Sequence, residues 1–167
     1  MSLTLLRHAP PPLEYQKRYI GHTDISIDLT LFNPLLLPYM YDFIYSSDLC
    51  RCTQTLKNLG YPIFQSDQRL REVRFKKPFE GKKFEEIAQM KVYTPIVLQS
   101  QESWYDFICD EPLREFHKRI TAFLHEIPED KNILICSHAG TIQQILTLLG
   151  EEPKQLDYLE YTIVTVK

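Results

Sequence analysis

The strongest constraint on this chain is a pattern it uses twice: an apolar run that ends in a histidine followed by an alanine. The first copy is Ser2-Leu3-Thr4-Leu5-Leu6-Arg7-His8-Ala9, and the second is Asn132-Ile133-Leu134-Ile135-Cys136-Ser137-His138-Ala139-Gly140. Each apolar run reads as a short buried strand. Pro10-Pro11-Pro12 stops the first, and small residues after His138 open a helix. Between them, Phe43–Ser46 reads as a third strand running into a helix that carries Arg51 in its first turn. In open α/β sheets, ligands gather beyond the carboxyl ends of the strands. Arg7, His8, Arg51 and His138 are therefore placed where a site would be. Arginine offers a permanent cation with a planar fork of donors, and histidine a nucleophile or proton carrier near neutral pH. Arg7-His8 alone reads equally well as a surface arginine and a loop histidine. The recurrence at three strand ends turns it into an inventory for binding phosphate.

The ordered set Arg7-His8-Ala9, Tyr19-Ile20-Gly21-His22-Thr23-Asp24, Ser46-Ser47-Asp48-Leu49-Cys50-Arg51, Leu70-Arg71-Glu72, Glu80-Gly81 and Ser137-His138-Ala139-Gly140 resembles the histidine phosphatase (phosphoglycerate mutase-like) superfamily. The likeness runs in order from residue 3 to about residue 166. The Tyr-x-Gly-x-x-Asp stretch is most similar to the α-ribazole phosphatases of cobalamin synthesis. The resemblance implies that His8 accepts a phosphoryl group that water then removes. It also implies that Glu72 is the general acid and that Arg7, Arg51, protonated His138 and the helix N-terminus at Ala139 neutralise the phosphoryl oxygens. Read without the resemblance, Glu72 is a loop carboxylate. The chain departs from the family at Ala9, where most members carry glycine, and at Glu14, where many place a phosphate-binding asparagine. A carboxylate there either turns away or meets a polar part of the substrate.

A length of 167 residues fits one domain, and alternating strands and helices predict a three-layer α/β/α sandwich with a mostly parallel sheet. The net charge of -3 gives no basic stripe for nucleic acid, and no apolar run is long enough to span a membrane. Arg7 and His8 interrupt the first apolar segment too early for a signal peptide, so the expected location is cytoplasmic. Cys50, Cys52, Cys109 and Cys136 match neither a zinc-finger nor a Cys-x-x-Cys spacing. No His, Cys or carboxylate cluster has metal-ligand spacing, so neither a metal nor another cofactor is implied. The lysines at 76, 77, 82 and 83 interleave with glutamates and read as a solvated loop or as steering for substrate phosphate.

Along the chain, Leu29–Asp42 should supply a first helix kept short or irregular by Pro34 and Pro38. The stripe Leu49, Cys52, Leu56, Leu59 predicts a helix capped by Ser46, Ser47 or Asp48 and ended by Gly60, and Tyr61–Gln65 a short strand. Helices are expected at Lys83–Gln89, Leu113–Ile127 and Ala139–Leu149, and a last strand at Tyr161–Val166. Gly21 should permit a tight turn. Glu14, Tyr19 and Trp104 are candidates to line the substrate pocket, with Tyr15, Tyr105 and Phe107 as further aromatic candidates; loop anchoring and lid packing are the alternative roles. The function expected is hydrolysis of a small phosphate monoester, with α-ribazole 5′-phosphate as the specific candidate. A broad small-molecule phosphatase and a non-catalytic phospho-ligand binder on the same fold are the alternatives.

Overall fold

A computed structural model describes residues 1–165. Five strands form one sheet in the order β3-β2-β4-β1-β5: β1 (Ser2–Arg7), β2 (Phe43–Ser46), β3 (Gln65–Ser66), β4 (Asn132–Ser137) and β5 (Tyr161–Thr165). The first four run parallel, and β5 is antiparallel to β1. The helices are α1 (Cys50–Asn58), α2 (Phe84–Ala88), α3 (Gln101–Ile108), α4 (Leu113–Glu126) and α5 (Ala139–Leu148).

Strand alternation explains the layers. Side chains at successive strand positions point to opposite faces. Leu3, Leu5, Ile133 and Ile135 thus pack with Phe116, Ile120 and Phe123 of α4 and with Ile142 and Ile145 of α5. Leu6, Leu134 and Cys136 face the other way, onto Cys52 and Leu56 of α1. The sheet is flanked on both faces, as the α/β/α expectation requires. Leu56 is fully buried, so Leu56→Ala would be a costly core truncation, on the order of 2–5 kcal/mol.

The second layer is thinner than expected. No helix forms in the 29–42 segment; its chain is irregular, and Leu35, Leu37 and Tyr41 pack onto the α1 side without one. Pro34 and Pro38 each remove a donor that a helix would need. The strand expected at Tyr61–Gln65 is reduced to Gln65–Ser66, paired with Tyr45 and Ser46. The helix α3 lies in a stretch for which the sequence predicts no helix, with Ser100 accepting from the Ser103 N–H as its cap. Val166, the expected end of the last strand, lies outside the described residues. Among the described residues, no helix is long and apolar enough to cross a membrane.

Register is what gathers the strand ends. Arg7 lies opposite Ser137, and Ser46 opposite Cys136. The next residues on these strands, His8, His138 and Ser47, therefore emerge side by side at the carboxyl ends of the parallel strands.

Candidate active site

The expected residues converge on one cavity of about 680 Å³ whose wall includes Arg7, His8, Arg51, Glu72, His138 and Ala139. His8 and His138 have ring centroids 5.2 Å apart. The Nδ1 of His8 lies 2.7 Å from the Ala9 carbonyl. A carbonyl can only accept, so Nδ1 carries the proton and Nε2 keeps its lone pair. The Ala9 N–H donates to Thr55 Oγ1 at 2.8 Å, and that hydroxyl donates to the Arg51 carbonyl. Thr55 thus ties the loop after His8 to α1.

Arg51 is buried and oriented by three bonds: Nη1 to the Thr23 carbonyl, Nη2 to the Gly21 carbonyl, and Nε to His138 Nδ1 at 3.2 Å. The Gly21–Thr23 turn that receives it is held by Glu80, which accepts from both backbone N–H groups and from the Thr23 hydroxyl. Gly21 does not serve through a left-handed turn. A Cβ there would sit 2.5 Å from the Val73 carbonyl, so close packing demands the glycine. The cap of α1 is likewise not a local serine: Asp24 Oδ1 accepts from the Cys50 N–H at 2.7 Å, and Leu49 is the N-cap.

His138 departs from the expected cation. Its Nδ1 accepts from Arg51, and its Nε2 lies 2.9 Å from the Ser47 hydroxyl. A lone pair on Nδ1 means a neutral ring. Burial, then the Arg51 charge, pushes the His138 pKa well below its usual range; for His8 burial and Arg51 act in the same direction, with the Ala9 carbonyl opposing. In the unfolded chain both rings would take up a proton near pH 6.5. Below that pH the unfolded state binds more protons, so their contribution to stability is full above pH 6.5 and is lost as pH falls below it. Urea unfolding at pH 7.5 and 5.5 should show the decline, at most about 1.4 kcal/mol per pH unit for each ring. Unchanged stability between those pH values would mean that the rings are not held neutral.

Glu72 sits at the N-terminus of α5. Its carboxylate accepts from the Val73 N–H and the Gly140 N–H, both at 2.9 Å. A Cβ on residue 140 would come within 2.5 Å of Glu72 Oε1, so any side chain there would displace the Glu72 carboxylate. Arg119, from the middle of α4, donates to the backbone carbonyls of Arg69, Arg71 and Glu72 and pairs with Glu111. His22 Nε2 also reaches the Glu72 carbonyl at 3.0 Å. Arg119 was not singled out from the sequence, because nothing local distinguishes it from any solvated arginine on an amphipathic helix.

The profile of the histidine phosphatase superfamily (branch 1) matches residues 3–166. The chain belongs to that superfamily. Solved structures agree at the level of fold. The protein TTHB049 of Thermus thermophilus superposes with a TM-score of 0.71 at 22% identity, over 99% of this chain and 93% of its own. A phosphoglycerate mutase from Bacillus anthracis str. Sterne gives 0.74 at 20% identity, over 98% and 86%. No curated protein sequence matches the chain.

Within this histidine phosphatase fold, the pocket candidates separate. Tyr19 lines the main cavity, packed edge-on against Phe75, and burial raises its pKa. Trp104 does not line it; its ring lies 5.8 Å from that of Tyr19 and packs on Phe84 and Phe107. Phe107 stacks on Phe79, and the Tyr105 hydroxyl donates to the Glu111 carbonyl, so neither reaches the cavity. Glu14 is exposed and borders a smaller neighbouring hollow of about 300 Å³. It has turned away from the main cavity. Tyr15, Phe75, Phe84 and Tyr158 supply the rest of the aromatic wall. Of the lysine cluster, Lys83 reaches the cavity wall while Lys76 Nζ donates to the Asp106 and Phe107 carbonyls. Among the described residues, no group of three or more His, Cys, Asp and Glu side chains is arranged to hold a metal ion.

Proposed function

We propose that this histidine phosphatase hydrolyses a small phosphate monoester through a phosphohistidine at His8. The observation that carries the reading is the Nδ1 proton committed to the Ala9 carbonyl, which leaves Nε2 as a nucleophile beside two arginines. Phosphoryl transfer asks the protein mainly for positioning and charge neutralisation. In the first step Nε2 bonds to phosphorus as the ester oxygen leaves, taking a proton from Glu72. In the second, Glu72 removes a proton from water, whose oxygen attacks phosphorus, and the N–P bond breaks to release inorganic phosphate. Arg7 and Arg51 neutralise the transferring group. His138 serves as an oriented neutral ring in the free enzyme, and its proton count can rise only if an arriving phosphate displaces the Arg51 Nε–H from Nδ1.

The substrate we propose is a monophosphate carrying a flat base, with α-ribazole 5′-phosphate as the specific case. Tyr15, Tyr19, Phe75 and Phe84 line the same cavity as His8, and aromatic faces favour stacking. The volume suits a nucleoside-sized ester. The test compares kcat/KM for α-ribazole 5′-phosphate, 3-phosphoglycerate and glucose 6-phosphate. The flat-base ester should lead by on the order of tenfold or more, which one or two stacking contacts can supply. A win for the sugar phosphate would favour a broad phosphatase, and isomerisation of phosphoglycerate would overturn the hydrolase reading. Release of phosphate from none of a broad panel of esters would leave the phospho-ligand binder.

A further inference from the structure

The two arginines of the site are held in different ways. Arg51 commits three nitrogens to protein acceptors. Among the described residues, Arg7 makes one side-chain hydrogen bond, from Nη1 to the Leu156 carbonyl at 2.7 Å, and its buried Nε has no partner. One bond leaves a guanidinium free to pivot about it. What restrains the plane is the ring of Tyr158, whose centre lies 4.0 Å from the guanidinium carbon. The same ring stands 5.5 Å from the His8 imidazole.

We propose that Tyr158 is a positioning residue for phosphoryl transfer, its ring face fixing the plane of Arg7 beside His8 so that the unused donors of Arg7 meet the phosphoryl oxygens. The inference rests on the phosphohistidine reading above. A carboxylate partner would orient Arg7 equally well but would occupy its in-plane N–H groups. An aromatic face attracts the cation from above and leaves those donors for the ligand. Nε is buried, so the donors that can reach the ligand are those of the terminal guanidinium nitrogens not used by the Leu156 carbonyl.

The backbone places the ring. Leu159 takes a left-handed φ of 57°, and its N–H donates to the His8 carbonyl at 3.3 Å. The Arg7 N–H donates to the Glu160 carbonyl at 3.0 Å. Glu160 closes the turn by accepting from the Asp157 N–H and pairing with Lys154. The segment bearing Tyr158 is therefore stitched to the strand end bearing Arg7 and His8. Its ring also borders both the main cavity and a separate hollow of about 280 Å³ near Leu31 and Leu35.

The experiment measures dissociation constants for vanadate, which takes a pentacoordinate geometry, and for inorganic phosphate. The proteins are the unmodified chain, Tyr158→Ala, Tyr158→Phe, Arg7→Ala and the Arg7→Ala/Tyr158→Ala double variant. Tyr158→Ala should weaken vanadate about tenfold, the scale of a desolvated cation–π contact, and weaken phosphate less. Tyr158→Phe, which keeps the face, should recover most of that loss. In the Arg7→Ala background, Tyr158→Ala should change vanadate binding by less than about twofold, because the interaction it supports is already gone. An equal loss in both backgrounds, or a phenylalanine variant as weak as the alanine one, would overturn the proposal. Should Tyr158→Ala fail to fold, Tyr158→Leu supplies bulk without a π face and carries the same expectation. If the unmodified chain binds neither anion, the phosphohistidine reading falls and takes this inference with it. Tight binding that Tyr158 substitutions leave untouched overturns the Tyr158 role alone.

Discussion

His8→Ala should abolish turnover while leaving inorganic phosphate able to bind. The arginines that neutralise phosphate stay in place, since Arg51 is anchored by Gly21, Thr23 and His138 rather than by His8. What disappears is the lone pair that forms the N–P bond. Removing the nucleophile of an enzyme whose groups act together costs on the order of 10⁴–10⁶ in rate. Brief incubation of the unmodified protein with a labelled ester should leave label that is labile in acid and stable in base, the signature of phosphohistidine; the variant should carry none. Turnover that persists in His8→Ala would rule out the covalent mechanism.

Glu72→Gln should cost most where the leaving group most needs a proton. An alkyl alcohol departs poorly as an alkoxide, whereas a nitrophenol departs readily as its anion. General acid–base catalysis is worth about 10²–10⁴-fold, so the loss should approach that range with an alkyl phosphate and be far smaller with the aryl one. The substitution keeps the shape, and the side-chain oxygen of glutamine can still accept from one of the Val73 and Gly140 N–H groups that now hold Glu72. Equal losses on both substrates would make Glu72 a residue that fixes the α5 terminus rather than one that moves protons.

The arrangement around Glu72 shows how the sequence and the tertiary structure divide the site. Leu70-Arg71-Glu72 marks the residue, but of the contacts that place it only the Val73 N–H is local. Its carboxylate is received by Gly140, and its backbone is clasped by Arg119 and His22, all at least 47 positions away. Tyr158 is a similar case. It follows no motif and lies far along the chain from His8, yet its ring covers both His8 and Arg7. Trp104 is the reverse case: its aromatic character is plain in the sequence, but its ring packs on Tyr19, Phe84 and Phe107 and does not line the cavity.

By itself, the sequence determined what local periodicity and local stereochemistry can encode. The apolar runs Leu3–Leu6 and Ile133–Cys136 marked two buried strands, and the stripe Leu49, Cys52, Leu56, Leu59 set the core-facing side of α1. Gly60, at a φ of 87°, ended its helix where it was expected to. The strand-end positions of His8, Ser47 and His138 followed from the same runs. Only the tertiary structure decided the cap of α1 by Asp24, the pairing of Arg7 with Tyr158 and the neutral state of His138. The reason is physical: a hydrogen bond between distant residues has no period, and the cost of charging a ring depends on how much water the whole fold removes from it.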